Sequence, residues 1–127
     1  MSKKVLVADD EKRVRELVQT HLRPLGYEVC EAYDGEEAIA QIASDHFDLL
    51  ICDTLMPKKS GWEVLKEVKS NPRTKDIPVI VLTTRRHEPD MFKGYELGAN
   101  YYMHKPFTRF QLRQGVELML EPFQPSA

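Results

Sequence analysis

Two adjacent acids, Asp9 and Asp10, a third acid, Asp53, a hydroxyl, Thr83, and a lysine, Lys105, each stand at or just beyond the point where an apolar run of this sequence stops. Three carboxylates brought to one place repel one another and resist ionising together unless a cation neutralises them. An oxygen-only ligand set that leaves room for water and phosphate suits Mg2+, with Mn2+ able to replace it. Each residue alone has an ordinary structural explanation. Asp10 could cap a helix, Asp53 could brace a turn, Thr83 could end a strand, and Lys105 could be a solvated charge. Their joint placement is what points to a site, and it depends on elements that end at one edge of one sheet.

The central element is the stretch Asp48 to Gly61, DLLICDTLMPKKSG. Leu49 to Cys52 is too short for a confident helix and lacks apolar/polar alternation, which suits a strand covered on both faces. Asp53 falls at its carboxyl end. Met56-Pro57 and Ser60-Gly61 then turn the chain, since proline lacks the ladder donor and glycine accepts positive φ. Lys4 to Ala8 reads as a first strand ending on Asp9 and Asp10. Val14, Leu17, Val18 and Leu22 recur at helical spacing from about Glu11 to His21, so this stripe is expected to face a core until Pro24 and Gly26 end the helix.

Tyr27 to Ala32 resembles a second strand, and Asp34 with Glu37 suggests a reciprocal capping box for a helix through Ala38, Ile39, Ile42 and Ala43. Ser60 with Glu63 suggests another, ahead of Val64, Leu65 and Val68, in a helix closed by Asn71-Pro72. Ile77 to Leu82 is the most strand-like run, ending on Thr83-Thr84. Pro89 suits the first turn of a helix whose apolar side is Met91, Phe92 and Tyr95, weakened by Gly94 by roughly 1 kcal/mol relative to alanine. Asn100 to Met103 is a short fifth strand before His104, Lys105, Pro106 and Phe107. Thr108 with Gln111 caps a last helix with Leu112, Val116, Met119 and Leu120 inward and Gly115 as a soft spot. Glu121 to Ala127 has two prolines and no periodicity, so it reads as a loose tail or the start of a linker.

Five strands alternating with five helices demand parallel strands with right-handed crossovers and helices on both faces, an α/β doubly wound sheet. Ligands of such sheets bind outside the carboxyl ends of the strands, where the five candidates gather.

At 127 residues the chain fits one domain. A net charge of -2 with both signs interspersed offers no basic block for nucleic acid or an anionic membrane. The first twelve residues carry too few apolar side chains for a signal peptide or a span, which predicts a cytoplasmic protein. Cys30 and Cys52 have no partner at metal-ligand spacing and read as reduced thiols.

The sequence resembles the receiver domain of two-component response regulators. The resemblance covers Lys4 to Leu120 and is carried by VLVADDE at Val5 to Glu11, YDGEEA at Tyr33 to Ala38, DLLICDTLMPKKSGWEVL at Asp48 to Leu65, IPVIVLTT at Ile77 to Thr84, and GANYYMHKPF at Gly98 to Phe107. It implies a receiver domain over residues 1–120 and a flavodoxin-like α/β/α sheet in the strand order 2-1-3-4-5, an order for which a member of this family is itself a standard example. It further implies that Asp53 accepts a phosphoryl group from a histidine on a partner, a sensor kinase or phosphotransfer protein. Asp10, Asp53 and the Leu55 carbonyl would hold Mg2+, with Asp9 acting through a bound water. Lys105 would pair with the phosphoryl oxygens, before a cis bond to Pro106, which costs only about 0.5–1 kcal/mol before proline.

The same resemblance makes Thr83 and Tyr102 a switch pair. A phosphoryl group brings about -1.5 to -2 charge, and drawing the Thr83 hydroxyl onto it is worth on the order of 1–3 kcal/mol. Tyr102 would then turn inward and alter the face of the fourth helix, fifth strand and fifth helix, for a downstream effector protein or output domain. The chain would catalyse only its own phosphorylation and dephosphorylation. Three features depart from the family. Thr84 replaces a common alanine, Arg85-Arg86-His87 is unusually basic, and the last helix lacks the frequent run of arginines, which leaves at most a weak dimer through that face. A haloacid-dehalogenase-like phosphatase would want a second acid where Leu55 stands. A flavodoxin-like nucleotide binder would want glycines or hydroxyls where Asp9-Asp10-Glu11 stand.

Overall fold

The computed structural model describes residues 2–84 and 91–121. Five parallel strands, β1 (Lys4–Ala8), β2 (Glu28–Ala32), β3 (Leu49–Asp53), β4 (Val79–Thr84) and β5 (Tyr101–Lys105), form one sheet in the order β2-β1-β3-β4-β5. The helices are α1 (Lys12–Leu22), α2 (Gly35–Ser44), α3 (Gly61–Ser70), α4 (Met91–Glu96) and α5 (Arg109–Leu120), with a 3-10 turn at Arg23–Leu25 after α1. This is the flavodoxin-like three-layer arrangement that the alternation of elements and the resemblance imply.

Strand periodicity sorts the interior into two layers. Val5, Val7, Leu49, Ile51, Ile80, Leu82 and Met103 face α1 and α5, where they meet Val18, Leu22, Leu112 and Val116. Leu6, Ala8, Leu50, Cys52, Val79, Val81 and Tyr102 face the other way, onto Ala38, Ile42, Val64, Leu65 and Val68 of α2 and α3. β3 is buried at every position, as its unbroken apolar run demands. Each fully buried aliphatic side chain of this kind contributes about 1.5–3 kcal/mol.

Both the Ser60/Glu63 and Thr108/Gln111 capping boxes are formed. The Asp34/Glu37 box is only half made: Asp34 accepts from the Glu37 amide, but Glu37 does not reach back. Its carboxylate is taken by Gln41 one turn on, at 3.3 Å. Leu17 is 38% exposed, contrary to the expected stripe. At 100° per residue it falls to one side of the line Val14, Val18, Leu22, outside the arc that the sheet covers.

Two strands sit further along the chain than expected. Pro78 has no amide to pair, and the Ile77 amide closes a turn on Thr74, so β4 starts at Val79 and takes in Thr83 and Thr84. β5 likewise extends to Lys105, which is its last residue rather than the one beyond it. Tyr95 is 51% exposed instead of inward. The placing of Pro89, the Arg85-Arg86-His87 loop, the side chains of Met91 and Phe92, and residues 122–127 lie outside the described residues. Both cysteines are unpaired thiols. No helix among the described residues is long and apolar enough to cross a membrane.

Candidate functional site

The parallel register puts the ends of β1, β3, β4 and β5 at one edge of the sheet. Ala8 is level with Cys52, Asp53 with Leu82, and Thr84 with Lys105. Asp9, Asp10 and Asp53 therefore arrive together, each offering a carboxylate oxygen within 4.8 Å of the others. Asp9 and Asp53 are buried, whereas Asp10 is exposed. The turn after β3 closes tightly: the Gly61 amide donates to the Thr54 carbonyl at 3.0 Å, and a Cβ at Gly61 would lie 2.0 Å from the Asp53 carbonyl oxygen. Glycine is required there by close approach of backbone, which fixes where α3 departs from the site.

Lys105 reaches three acids, two that follow β1 and one that ends β3. Its Nζ lies 2.7 Å from Asp9, 3.3 Å from Asp53 and 3.3 Å from Glu11. Asp9 Oδ2 lacks a well-directed hydrogen bond, and its contact with the ammonium is an ion pair. Its other oxygen accepts the Glu11 amide at 2.9 Å. Burial pushes the Asp9 carboxyl up to about 6, aided by the Asp53 charge and opposed by Lys105 and the Glu11 amide. Asp53 is raised for the same first reason, burial, with Lys105 pulling the other way and Asp10 adding repulsion. Burial disfavours the charge on Lys105, but Asp9, Asp53 and Glu11 outweigh it and the lysine is raised. The acids are thus crowded beyond what one lysine neutralises, the situation in which a divalent cation binds well.

A cavity of about 360 Å³ opens over this cluster, lined among others by Asp10, Asp53, Leu55, Thr84 and Lys105. Leu55 is half exposed at its rim. Thr83 is fully buried, and its hydroxyl donates to the Thr84 carbonyl at 3.3 Å. Tyr102, which shares Thr83's side of the sheet, packs edge to face on Tyr95 with ring centroids 4.9 Å apart. Its hydroxyl occupies space that only glycine leaves open, since a Cβ at Gly94 would lie 1.3 Å from it. The peptide bond between Lys105 and Pro106 is cis.

Three contributors escaped the sequence reading. Glu11 binds Lys105 beside the two aspartates. Arg15, one turn into α1, donates to the Asp9 carbonyl at 2.8 Å and to Glu31 of β2 at 2.7 Å, tying down the loop that carries the acids. Gly94 makes room for Tyr102. The first two are charges four residues apart at the start of a helix and look like solvated surface in a bare sequence; the third reads only as a helix weakener.

The chain matches the response regulator receiver domain family over residues 5–117 and belongs to that family. It is 38% identical over 120 residues to the alkaline phosphatase synthesis transcriptional regulatory protein PhoP of Bacillus subtilis, covering 94% of this chain and 49% of that protein. The chain spans about half the length of the curated relatives it matches. The chemotaxis response regulator CheY4 of Vibrio cholerae superposes with a TM-score of 0.89 at 34% identity, covering 94% of this chain and 100% of that one. The response regulator TrrA of Thermotoga maritima, solved in complex with Mg2+ and BeF, does so with a TM-score of 0.81 at 36% identity, covering 93% and 99%. The family match does not favour the phosphatase or nucleotide-binding alternatives.

Proposed function

We propose that this receiver domain takes a phosphoryl group onto Asp53 with the help of Mg2+ and works as a signalling switch. The observation that carries the reading is the convergence of Asp9, Asp10 and Asp53 within 4.8 Å, under one lysine that reaches both buried acids. Asp10, Asp53 and the Leu55 carbonyl would hold the ion, with Asp9 acting through water. The hard oxygen donors fit it, and Mn2+ suits the same set. When bound, the ion supplies charge neutralisation for the acids and the incoming phosphoryl oxygens. TrrA's complex with Mg2+ and BeF supports this assignment by likeness.

An Asp53 carboxylate oxygen attacks phosphorus, forming an acyl phosphate, while the bond from phosphorus to the partner's histidine nitrogen breaks and that nitrogen keeps the electron pair. Lys105 follows the charge to the phosphoryl oxygens. Little covalent work is asked of the protein, whose task is positioning and neutralisation. The domain acts only on its own phosphorylation state. Thr83, which starts on the side of β4 away from Asp53, is drawn round the strand end toward the phosphoryl group and Tyr102 moves in response, changing the face of α4, β5 and α5 seen by an effector protein or output domain. A sensor histidine kinase or phosphotransfer protein in the cytoplasm is the donor. Acetyl phosphate with Mg2+ should add one phosphoryl group to the wild type, and an adduct that persists in Asp53→Asn would sink the assignment.

A further inference from the structure

We propose that the Thr84 side-chain hydroxyl is a further hydrogen-bond donor to the phosphoryl group received at Asp53, an inference that rests on the acceptor reading above. Thr84 Oγ1 is buried and has no hydrogen-bond partner among the described residues. Burying a hydroxyl unpaired is unfavourable, so such a group marks either wasted stability or a partner that arrives later. The position of Thr84 argues for the second.

Side chains alternate along a strand, and residues level with each other on neighbouring parallel strands share a face. Leu82 is level with Asp53, and Thr84 is level with Lys105. Thr84, two residues after Leu82, therefore lies on the same side of the sheet as Asp53 and Lys105. Thr83 belongs to the opposite side, with Val81 and Tyr102. Thr84 also lines the cavity over the acids together with Asp53 and Lys105. Lys105 beside it carries no acceptor, so it cannot take the proton that the Thr84 hydroxyl offers. A phosphoryl group brings three strong acceptor oxygens to this cavity.

Thr84 differs from Lys105 in what it must give up. The lysine already holds Asp9, Asp53 and Glu11, and any bond to a phosphoryl oxygen exchanges with these. The threonine hydroxyl breaks no described bond, so its gain on binding is undiluted. The same hydroxyl therefore has opposite effects on the two states: it destabilises the free domain and stabilises the phosphorylated one.

Valine keeps the shape and the β-branching and deletes the hydroxyl, so Thr84→Val preserves the strand. Two measurements read the two states: the melting temperature of the free protein, and the affinity for beryllofluoride, a phosphoryl mimic, titrated calorimetrically in the presence of Mg2+. Thr84→Val should melt above the wild type when free, yet bind beryllofluoride about tenfold more weakly, the scale of one hydrogen bond to a charged group. Thr84→Ser should stay close to the wild type in binding. Wild type that takes up no beryllofluoride, or Asp53→Asn that takes it up equally, would remove the acceptor reading and this inference with it. Normal wild-type uptake matched by Thr84→Val would overturn this inference alone. So would a free Thr84→Val protein that melts below the wild type, because the hydroxyl would then have been satisfied from the start.

Discussion

An alanine at position 94 should destabilise this domain even though alanine is the better helix former. Propensity alone favours Gly94→Ala by about 0.8–1.0 kcal/mol. The added Cβ, however, would sit 1.3 Å from the Tyr102 hydroxyl, 2.7 Å from its Cζ and 2.9 Å from Trp62 Cζ3. The tyrosine is the mobile partner in that clash, so it must leave. Tyr102 is 9% exposed, and losing its burial costs about 1.5–3 kcal/mol, with roughly 0.5–1.5 kcal/mol more for the contact with Tyr95. The net effect is a destabilisation of about 1–4 kcal/mol, a fall in Tm on the order of 3–15 °C for a domain of this size.

Thermal and denaturant unfolding measure that loss, and Trp62, the sole tryptophan, reports the local change by its fluorescence. In a Tyr102→Ala background the two overlaps with the tyrosine are gone and only the 2.9 Å approach to Trp62 Cζ3 remains, so the same substitution should cost far less and the double-mutant cycle should show strong coupling. Gly94→Ala more stable than the wild type, with unaltered Trp62 emission, would mean that Tyr102 does not occupy the space beside α4.

Arg15→Met should weaken Mg2+ binding without touching a ligand, because it releases the Asp9 carbonyl; an unchanged metal titration would restrict Arg15 to the α1–β2 ion pair. The same variant tests a pH effect. Hydrogen bonds from Arg15, then Gln19, hold the Glu31 carboxyl below its ordinary range. A depressed acid stabilises the fold above its unfolded pKa and loses that contribution as pH falls through its folded pKa. The wild type's stability advantage over Arg15→Met should therefore be fully present at neutral pH and shrink below about pH 4.5; an advantage independent of acid would contradict this. Asp10→Asn should reduce Mg2+ affinity and phosphorylation together, and a variant unaffected in both would leave Asp10 outside the ion's shell. Leu55, at the cavity rim, offers no hydrogen bond to an attacking water, and Arg85 cannot act as a base. The acyl phosphate should last minutes or longer and shorten in Leu55→Asn with Arg85→Glu; decay of the wild type within seconds would oppose that reasoning.

Much of this was legible because the residues concerned announce their geometry. The run Leu49 to Cys52 is apolar on both faces and admits only a central strand, which fixes Asp53 at an edge. Ser60/Glu63 and Thr108/Gln111 are reciprocal caps that need nothing from the rest of the fold, and both form. Asp34/Glu37 has the same spacing and closes only on the Asp34 side, since Gln41 takes the glutamate once the helix is in place. Spacing cannot register that competition. Leu17 shows a related blindness: a helical stripe gives a direction, but the width of the sheet decides which of its members are covered.

The site was harder where one residue's meaning lies in another's position. Gly94 carries a cost in the sequence and a purpose only beside Tyr102. Arg15 and Glu11 look like ordinary surface charge until α1 brings them back over Asp9 and Lys105. Thr84 differs from Thr83 by one step in a strand, and that step places it on the side of the acids.

Whether Asp53 itself carries the phosphoryl group can be tested chemically at the modified atom. Borohydride reduces an aspartyl phosphate at its acyl carbon, expelling phosphate and leaving homoserine. Protein incubated with acetyl phosphate and Mg2+, reduced in this way and cleaved into peptides, should show homoserine at position 53 and nowhere else. Homoserine at Asp9 or Asp10, with an unmodified Asp53, would contradict phosphorylation at Asp53.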